Sequence, residues 1–164
     1  LILSKDEILV TPGYSKGRKR SFDYEEFKKI TDYCGAEVLT DMAHFSGFVA
    51  VGVHPSSIPH ANGVTATTFK NLCGFGGGLV LSKETDLQRK LDNAVFYVSK
   101  GSEPECICGQ GCLGEAPQPD CVVYASQVVA NACTLAKTFF ENRIDVIAVG
   151  TDTPLIDLRN LQLI

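Results

Sequence analysis

Two ionisable residues, Asp41 and Lys70, each follow a short apolar segment with the composition of a buried β-strand. Asp41 follows residues 36–40, Ala-Glu-Val-Leu-Thr, and Lys70 follows residues 63–68, Gly-Val-Thr-Ala-Thr-Thr, after one phenylalanine. Ligands of open α/β sheets bind outside the carboxyl ends of the strands. In pyridoxal phosphate chemistry, a lysine forms an imine with the cofactor and a carboxylate keeps the ring nitrogen protonated. The placement of this pair therefore suggests such a cofactor site.

Taken alone, the two residues also fit simpler structural roles. A single lysine in a loop is usually an ordinary surface residue, and an aspartate at the end of a strand can cap a helix or accept a local hydrogen bond. His54 and His60 lie in a proline-containing connection, and we expect them to be loop histidines rather than catalysts. The elements around Asp41 and Lys70 decide whether the two can meet.

The helix before the Asp41 strand has clear start and stop signals. Asp23 can accept a hydrogen bond at the helix N-terminus, with Glu26 three residues later, and Gly35 can end the helix. The rings of Phe22 and Phe27 can pack together around this cap. The apolar face that we expect to turn inward consists of Tyr24, Phe27, Ile30 and Cys34.

The strand candidates predict a sheet with parallel neighbours. Residues 8–11 form one candidate, residues 36–41 the second and residues 63–68 the third. The segment 42–62 crosses over between the last two, with Pro55 and Pro59 limiting helix. A right-handed crossover makes the strands parallel, so their carboxyl ends share one edge of the sheet. Asp41 and Lys70 are then expected in one crevice.

Beyond Lys70, the glycine-rich residues 74–78 predict a tight reversal into a strand at 79–82. Residues 86–96 predict a helix with Leu87, Leu91, Ala94 and Val95 as its apolar stripe. This order places Lys70 in a loop between two strands.

The last third of the chain predicts one long helix and two strands. The helix runs from about Cys121 to Glu141, and the strand candidates are residues 144–149 and 155–159. The residues expected to face inward from the helix are Tyr124, Val128, Ala132, Leu135 and Phe139.

The composition is that of a globular protein with one core, at 164 residues, 45% apolar and 21% charged residues and a net charge of −4. Apolar runs are too short to span a bilayer, and nucleic acid is not an expected partner. The seven cysteines are odd in number and follow no secretory signal, so we expect reduced thiols in a cytoplasmic protein. Because the sequence starts at Leu1, we expect it to be cut from a longer chain.

The order of short motifs around the two residues is more specific than their spacing. Asp-Met-Ala-His at 41–44 is followed by Gly-Phe-Val-Ala at 47–50, Gly-Val-His-Pro-Ser at 52–56 and Val-Thr-Ala-Thr-Thr-Phe-Lys at 64–70. This order closely resembles serine hydroxymethyltransferases. The likeness extends to Gly-Tyr-Ser at 13–15, Gly-Gly-Gly-Leu-Val-Leu at 76–81, Tyr-Ala-Ser-Gln-Val-Val-Ala-Asn-Ala at 124–132 and Gly-Thr-Asp-Thr at 150–153.

The resemblance implies an α/β fold, namely part of the large domain of a pyridoxal phosphate-dependent, aminotransferase-like (fold type I) enzyme with a mainly parallel sheet flanked by helices. It implies that residues 1–141 belong to this large domain and residues 142–164 begin a carboxyl-terminal small domain. The implied reaction transfers a one-carbon unit from serine to tetrahydrofolate and yields glycine and methylenetetrahydrofolate. The implied partners are a second copy of the chain or a full-length homologue.

The resemblance also implies roles for five residues. Lys70 is the imine lysine, Asp41 pairs with the pyridinium nitrogen, and His44 is the histidine close to the cofactor. Ser15 matches the serine that reaches the ring hydroxyl, and Thr67 lies in the threonine run beside the lysine. No metal site is implied.

The chain departs from the family pattern where phosphate is expected to bind. Phe69 replaces a histidine before the lysine, residues 72–78 lack two arginines, and residues 97–111 lack a glycine-rich loop that in the family reaches the phosphate of the partner subunit. We expect these three changes to weaken phosphate binding. Pro154 is a further departure, since it replaces a histidine in the Gly-Thr-Asp pattern. An alternative function is a catalytically inactive fragment that acts only through association with a partner subunit.

A second alternative is a thiol or zinc module, because thiolates are good zinc ligands. Its ligands would be Cys106, Cys108, Cys112 and Cys121, although their spacing matches no standard zinc finger.

Overall fold

Local sequence signals account for most of the helix and strand bounds. The computed structural model describes residues 8–11, 22–99, 111–146, 150–156 and 158. The elements in chain order are β1 (Ile8–Thr11), α1 (Tyr24–Cys34), β2 (Glu37–Asp41), α2 (Ser46–Ala50), β3 (Gly63–Thr67), β4 (Gly78–Ser82), α3 (Thr85–Ser99), α4 (Gly111–Glu115) and α5 (Pro119–Glu141). None of the described helices combines the length and the apolar character needed to cross a membrane.

The four described strands form one sheet in the order β1-β2-β3-β4. β1 pairs with β2 and β2 pairs with β3 in parallel, with Asp41 opposite Thr65 in the second pair. β4 pairs antiparallel with β3, because a short loop can join only antiparallel neighbours. The expected α/β unit with parallel strands around Asp41 is therefore confirmed for the described residues, and the chain reverses after Lys70 as predicted.

Helix α1 begins and ends where the sequence predicts. Asp23 Oδ1 accepts a hydrogen bond of 3.0 Å from the backbone N–H of Glu26. The rings of Phe22 and Phe27 meet edge to face with centroids 5.7 Å apart. Gly35 ends the helix with a φ of 67°, a left-handed conformation that glycine adopts without strain.

The predicted inward face of α1 was partly wrong. Ile30 is 51% exposed and Cys34 is exposed, whereas Tyr24 and Thr31 are buried. Two helical turns separate Tyr24 from Thr31, so both lie on the side that meets the sheet. Thr31 can be buried because its hydroxyl donates a hydrogen bond of 3.0 Å to the carbonyl of Lys28.

Helix α5 spans its predicted range, and its predicted inward face is partly right, since Ala132 is buried and Val128 packs against the core. Ala125, Ala132 and Ala136 are buried, whereas Tyr124 is 58% exposed and Leu135 is 47% exposed. Small side chains let the helix approach the core closely, and this close approach leaves the larger neighbouring side chains outside. The expectation for Tyr124 and Leu135 was therefore wrong.

The remaining predicted elements are seen in part. α3 covers the predicted range with Leu87 and Leu91 half-buried, but Val95 is 39% exposed. The two late strand candidates appear in the described residues as a single antiparallel bridge between Val146 and Leu158, and much of both segments lies outside those residues. β4 is the last strand of the described sheet, and its Val80 and Leu81 are 41% and 40% exposed.

The core fixes the turn that follows β2. Met42 and Phe45 are 5% and 1% exposed, and both pack into the main apolar cluster, while His44 between them remains partly accessible. Because its neighbours on both sides are buried, the backbone at His44 has little freedom to move. The other buried members of this cluster are Tyr24, Phe48, Val64, Ala66 and Ala125.

The short helix α2 packs against the turn that follows Lys70. Gly47 lies so close to this turn that a Cβ atom added to it would be 2.1 Å from the carbonyl oxygen of Asn71. Only glycine is compatible with this approach.

We expect Gly47→Ala to destabilise the chain by about 1–3 kcal/mol, because one of two packed backbone segments must move. Urea unfolding followed by circular dichroism measures the change. Gly78→Ala is the control, since its Cβ would meet the Ala66 carbonyl at an ordinary 3.8 Å. Equal stability of the two variants would contradict the proposed contact.

His54 is buried in the crossover between β2 and β3, where its ring packs on Phe45 with centroids 4.5 Å apart. Its Nδ1 donates a hydrogen bond of 2.9 Å to the Pro55 carbonyl. Desolvation lowers the pKa of His54 below its ordinary value, and the hydrogen bond to Pro55 and the charge of Asp152 only partly oppose this effect. The folded chain therefore favours neutral His54.

The unfolded chain, with a histidine pKa of about 6.5, takes up this proton more readily than the folded chain. We therefore expect the free energy of unfolding to fall as the pH drops below about 6.5, with a contribution of at most about 1.4 kcal/mol per pH unit. Urea unfolding across this range should show a shallower fall in His54→Phe, whereas the control His60→Gln should keep the slope of the parent chain. If His54→Phe has the same slope of unfolding free energy against pH as the parent chain, His54 is not the group responsible.

Candidate functional site

The carboxylate of Asp41 is fixed at the carboxyl end of β2. Its Oδ1 atom accepts hydrogen bonds of 3.0 Å from the Thr65 hydroxyl and 3.1 Å from the Ala43 backbone N–H. Asp41 Oδ2 accepts no hydrogen bond from the described residues. One oxygen therefore orients the group, and the other remains available to a ligand.

Threonines on one face of β3 hold the turn 42–45. Thr65 and Thr67 are two residues apart in a strand, so their side chains share a face, while Val64 and Ala66 are buried on the other. The Thr67 hydroxyl donates a hydrogen bond of 3.1 Å to the Ala43 carbonyl, and the Met42 N–H donates one of 2.8 Å to the Thr65 carbonyl. Thr65 was missed in the sequence, although the alternation Thr-Ala-Thr could have identified it.

Lys70 and His44, 26 residues apart in the chain, come together at this edge. Lys70 Nζ lies 3.4 Å from His44 Nε2, which is at the long end of the hydrogen-bond range. The ammonium group can donate to Nε2 when the imidazole carries its proton on Nδ1. Lys70 Nζ also lies 5.8 Å from the centre of the Phe69 ring, and Lys70 takes part in none of the described ion pairs.

Asn71, which was not among the predicted site residues, connects the loop that carries Lys70 to the turn that carries His44. Its Nδ2 donates to the His44 carbonyl, and its Oδ1 accepts from the Gly47 N–H at 3.0 Å and lies 3.2 Å from the Ser46 hydroxyl. The Cys73 N–H donates to the Lys70 carbonyl at 3.0 Å and closes the loop. Nothing in the sequence pattern distinguishes this asparagine from an ordinary turn residue.

The structure thus brings four of the five predicted site residues to the carboxyl edge of β2 and β3. Asp41, His44, Thr67 and Lys70 are joined there through the turn 42–45. The fifth, Ser15, lies outside the described residues. The predicted parallel pairing, which puts the ends of β2 and β3 at one edge, is confirmed. The crevice expected between Asp41 and Lys70 and the chemical roles of these residues stay predictions.

The residues present fit the ring and the amine chemistry of pyridoxal phosphate better than its phosphate. Asp41 offers a carboxylate oxygen to a ring N–H, and Lys70 offers a primary amine. Between β3 and β4, however, Lys70 is the single cationic side chain, and Phe69 and Phe75 are 55% and 67% exposed. A phosphate would find little positive charge in this loop.

A mainly apolar cleft lies beside the turn that follows Lys70. It is bounded by α2, the turn 71–73 and the start of α5, with Phe48, Leu72 and Tyr124 among its lining residues. Asp41, His44 and Lys70 do not line it. The predicted reactive groups therefore lie outside this cleft.

Metal ligands do not cluster in the part of the chain that the structure describes, where no three His, Cys, Asp or Glu side chains could hold an ion together. Cys106 and Cys108 and the side chain of Cys112 lie outside this part, so the zinc module stays untested.

The comparison with known proteins agrees with the order of motifs in the sequence. A serine hydroxymethyltransferase of Prochlorococcus marinus (strain MIT 9313) is 46% identical over 165 residues, which covers 98% of this chain and 38% of that protein. A serine hydroxymethyltransferase of Paramagnetospirillum magneticum (strain ATCC 700264 / AMB-1) is 43% identical over 148 residues, covering 88% of this chain and 35% of that protein. The chain thus spans less than half the length of these curated relatives.

The family model for serine hydroxymethyltransferase matches residues 3–164, which is nearly the whole chain. The order of motifs from Asp41 to Lys70 predicts the same family. The chain therefore belongs to the serine hydroxymethyltransferase family.

Proposed function

We propose that this chain is part of a pyridoxal phosphate-dependent serine hydroxymethyltransferase in which Lys70 supplies the amine that binds the cofactor. The reaction would move a one-carbon unit between serine and tetrahydrofolate. The single observation that carries this proposal is the contact of 3.4 Å between Lys70 Nζ and His44 Nε2 at the strand edge that ends in Asp41. Family membership supplies the reaction class.

Asp41 would hold the ring nitrogen of the cofactor. Its Oδ1 is occupied by Thr65 and Ala43, so the carboxylate cannot rotate freely, and Oδ2 is left for the ring N–H. A charged acceptor favours the protonated ring nitrogen. When bound, pyridoxal phosphate supplies an electron sink for negative charge at the α-carbon of the substrate.

His44 would prepare Lys70 for reaction. An ammonium nitrogen has no lone pair, so Lys70 must lose a proton before it can act as a nucleophile. His44 Nε2 is the nearest described acceptor and can take that proton. Thr67 would act indirectly, since its hydroxyl holds the Ala43 carbonyl next to His44.

We further propose that residues 1–141 belong to the large domain of a fold type I enzyme and that residues 142–164 begin the small domain. Ser15 would reach the ring hydroxyl of the cofactor from the segment after β1. The complete site would require groups from a second copy of the chain or from a longer homologue, because this chain covers only 38% of the length of the Prochlorococcus marinus relative.

Reaction of the chain with pyridoxal phosphate, followed by borohydride reduction and peptide mass spectrometry, tests the role of Lys70. We expect Lys70 to carry most of the trapped cofactor mass and Lys70→Arg to lose it. Asp41→Asn keeps the shape of the side chain and one hydrogen-bond acceptor but loses the negative charge. The amount of cofactor trapped at Lys70 in this variant should therefore fall about tenfold. Lys83→Arg, at an exposed position, is the control and should keep the yield of the parent.

Trapped mass spread evenly over the exposed lysines would show that Lys70 has no special reactivity, and the proposal would fail. An Asp41→Asn yield equal to that of the parent would remove the proposed role of Asp41.

Phe69 gives a second test, since it stands where the resemblance implies a histidine near the phosphate. We expect the parent chain to bind pyridoxal and pyridoxal phosphate with similar affinity, and Phe69→His to favour the phosphorylated form about threefold through one added hydrogen-bond donor. Equilibrium dialysis with both ligands measures this preference. Phe75→His adds a histidine at another exposed position of the same loop and should have a smaller effect. An equal preference in both variants would contradict a specific role for position 69.

A further inference from the structure

Helix α2 lacks a cap from its own sequence. Its N-cap residue is Phe45, whose side chain makes no capping hydrogen bond. The first N–H groups of a helix have no partner inside the helix and need an acceptor from elsewhere. Asn71 Oδ1 supplies this acceptor to the Gly47 N–H at 3.0 Å, across 24 residues of chain. The cap of α2 therefore comes from the loop that carries Lys70.

The same side chain also contacts the backbone of His44. Asn71 Nδ2 donates to the His44 carbonyl, so both polar atoms of the asparagine are directed at the segment 44–47. Asn71 follows Lys70 directly in the chain. A single side chain, that of Asn71, therefore connects the His44 carbonyl to the backbone next to Lys70.

We propose that Asn71 is a positioning residue that holds the Lys70 amine against the His44 imidazole. The packing supports this role, because the Asn71 carbonyl lies over Gly47 at a distance that excludes any larger residue there. The inference deepens the proposed function and rests on it in one respect, namely that Lys70 is the reacting amine.

Asn62 provides a matched control for a purely structural role. Its Oδ1 accepts from the Val38 N–H at 2.8 Å, and its Nδ2 donates to Glu84 Oε1 at 2.7 Å. Like Asn71, it flanks β3 and joins segments that are distant in the chain, but it does so at the opposite end of the strand from Lys70. Asn62→Ala therefore removes two side-chain hydrogen bonds between distant segments, against three for Asn71→Ala, without touching the candidate site.

The test measures the coupling between His44 and Lys70 without any cofactor. Competitive acetylation with acetic anhydride, read by peptide mass spectrometry, gives the rate at Lys70 relative to the other lysines of the same molecule. His44→Ala is measured in the parent chain and in the Asn71→Ala, Asn71→Asp and Asn62→Ala backgrounds. Asn71→Asp keeps the acceptor for the Gly47 N–H but loses the donor to the His44 carbonyl, so it separates capping of α2 from positioning of His44.

We expect His44→Ala to change the relative acetylation rate at Lys70 by about threefold in the parent and in Asn62→Ala, as for residues in direct contact. In the Asn71→Ala and Asn71→Asp backgrounds, His44→Ala should leave this relative acetylation rate nearly unchanged. Thermal unfolding of each variant identifies those that remain folded, and Asn71→Asp serves as the test if Asn71→Ala does not fold.

An undiminished effect of His44→Ala in the Asn71 variants would overturn the inference, and so would the absence of any effect in the parent. Coupling that depends on Asn71 in a chain that traps no pyridoxal phosphate at Lys70 would support positioning while refuting the proposed function. The two claims can therefore fail separately.

Discussion

The candidate site depends on the burial of the turn that follows β2. Met42 and Phe45 enter the apolar core on either side of His44, and hydrogen bonds from β3 hold the same turn at Met42 and Ala43. Burial of two large apolar side chains contributes several kcal/mol, which is more than the surrounding surface contacts can offer. The position of the imidazole is thus a consequence of core packing.

The candidate site also depends on the sheet, which places the segments that end in Asp41 and Thr67 side by side. Parallel pairing of β2 and β3 sets Asp41 opposite Thr65, and the turn after Lys70, which precedes the antiparallel strand β4, packs against α2. Neither strand has to be long for this purpose. It is enough that β2 and β3 end at the same edge of the sheet and that the turn 42–45 between them is held by the core.

Structure that is decided by nearby residues follows from the sequence. The cap at Asp23, the stop at Gly35 and the strands before Asp41 and Lys70 have signals within a few residues of each feature. The predicted buried faces of α1 and α5 were correct for Tyr24 and Ala132, but Thr31, Ala125 and Ala136 are also inside, and Ile30 and Leu135 are not. Asn71 gave no signal, because its partners are 24 to 27 residues away and only the folded chain brings them together. Burial and such contacts depend on neighbours that a pattern along one segment does not contain.

The exposed apolar side chains of β4 have a consequence for the handling of the purified chain. Val80 and Leu81 stand on the last described strand of the sheet, and the outer backbone of an edge strand can pair with a strand of another molecule. Apolar character along such a margin favours strand addition and precipitation as the protein concentration rises. Colloidal behaviour, more than thermal resistance, would then set the practical limit for crystallisation or spectroscopy at high concentration.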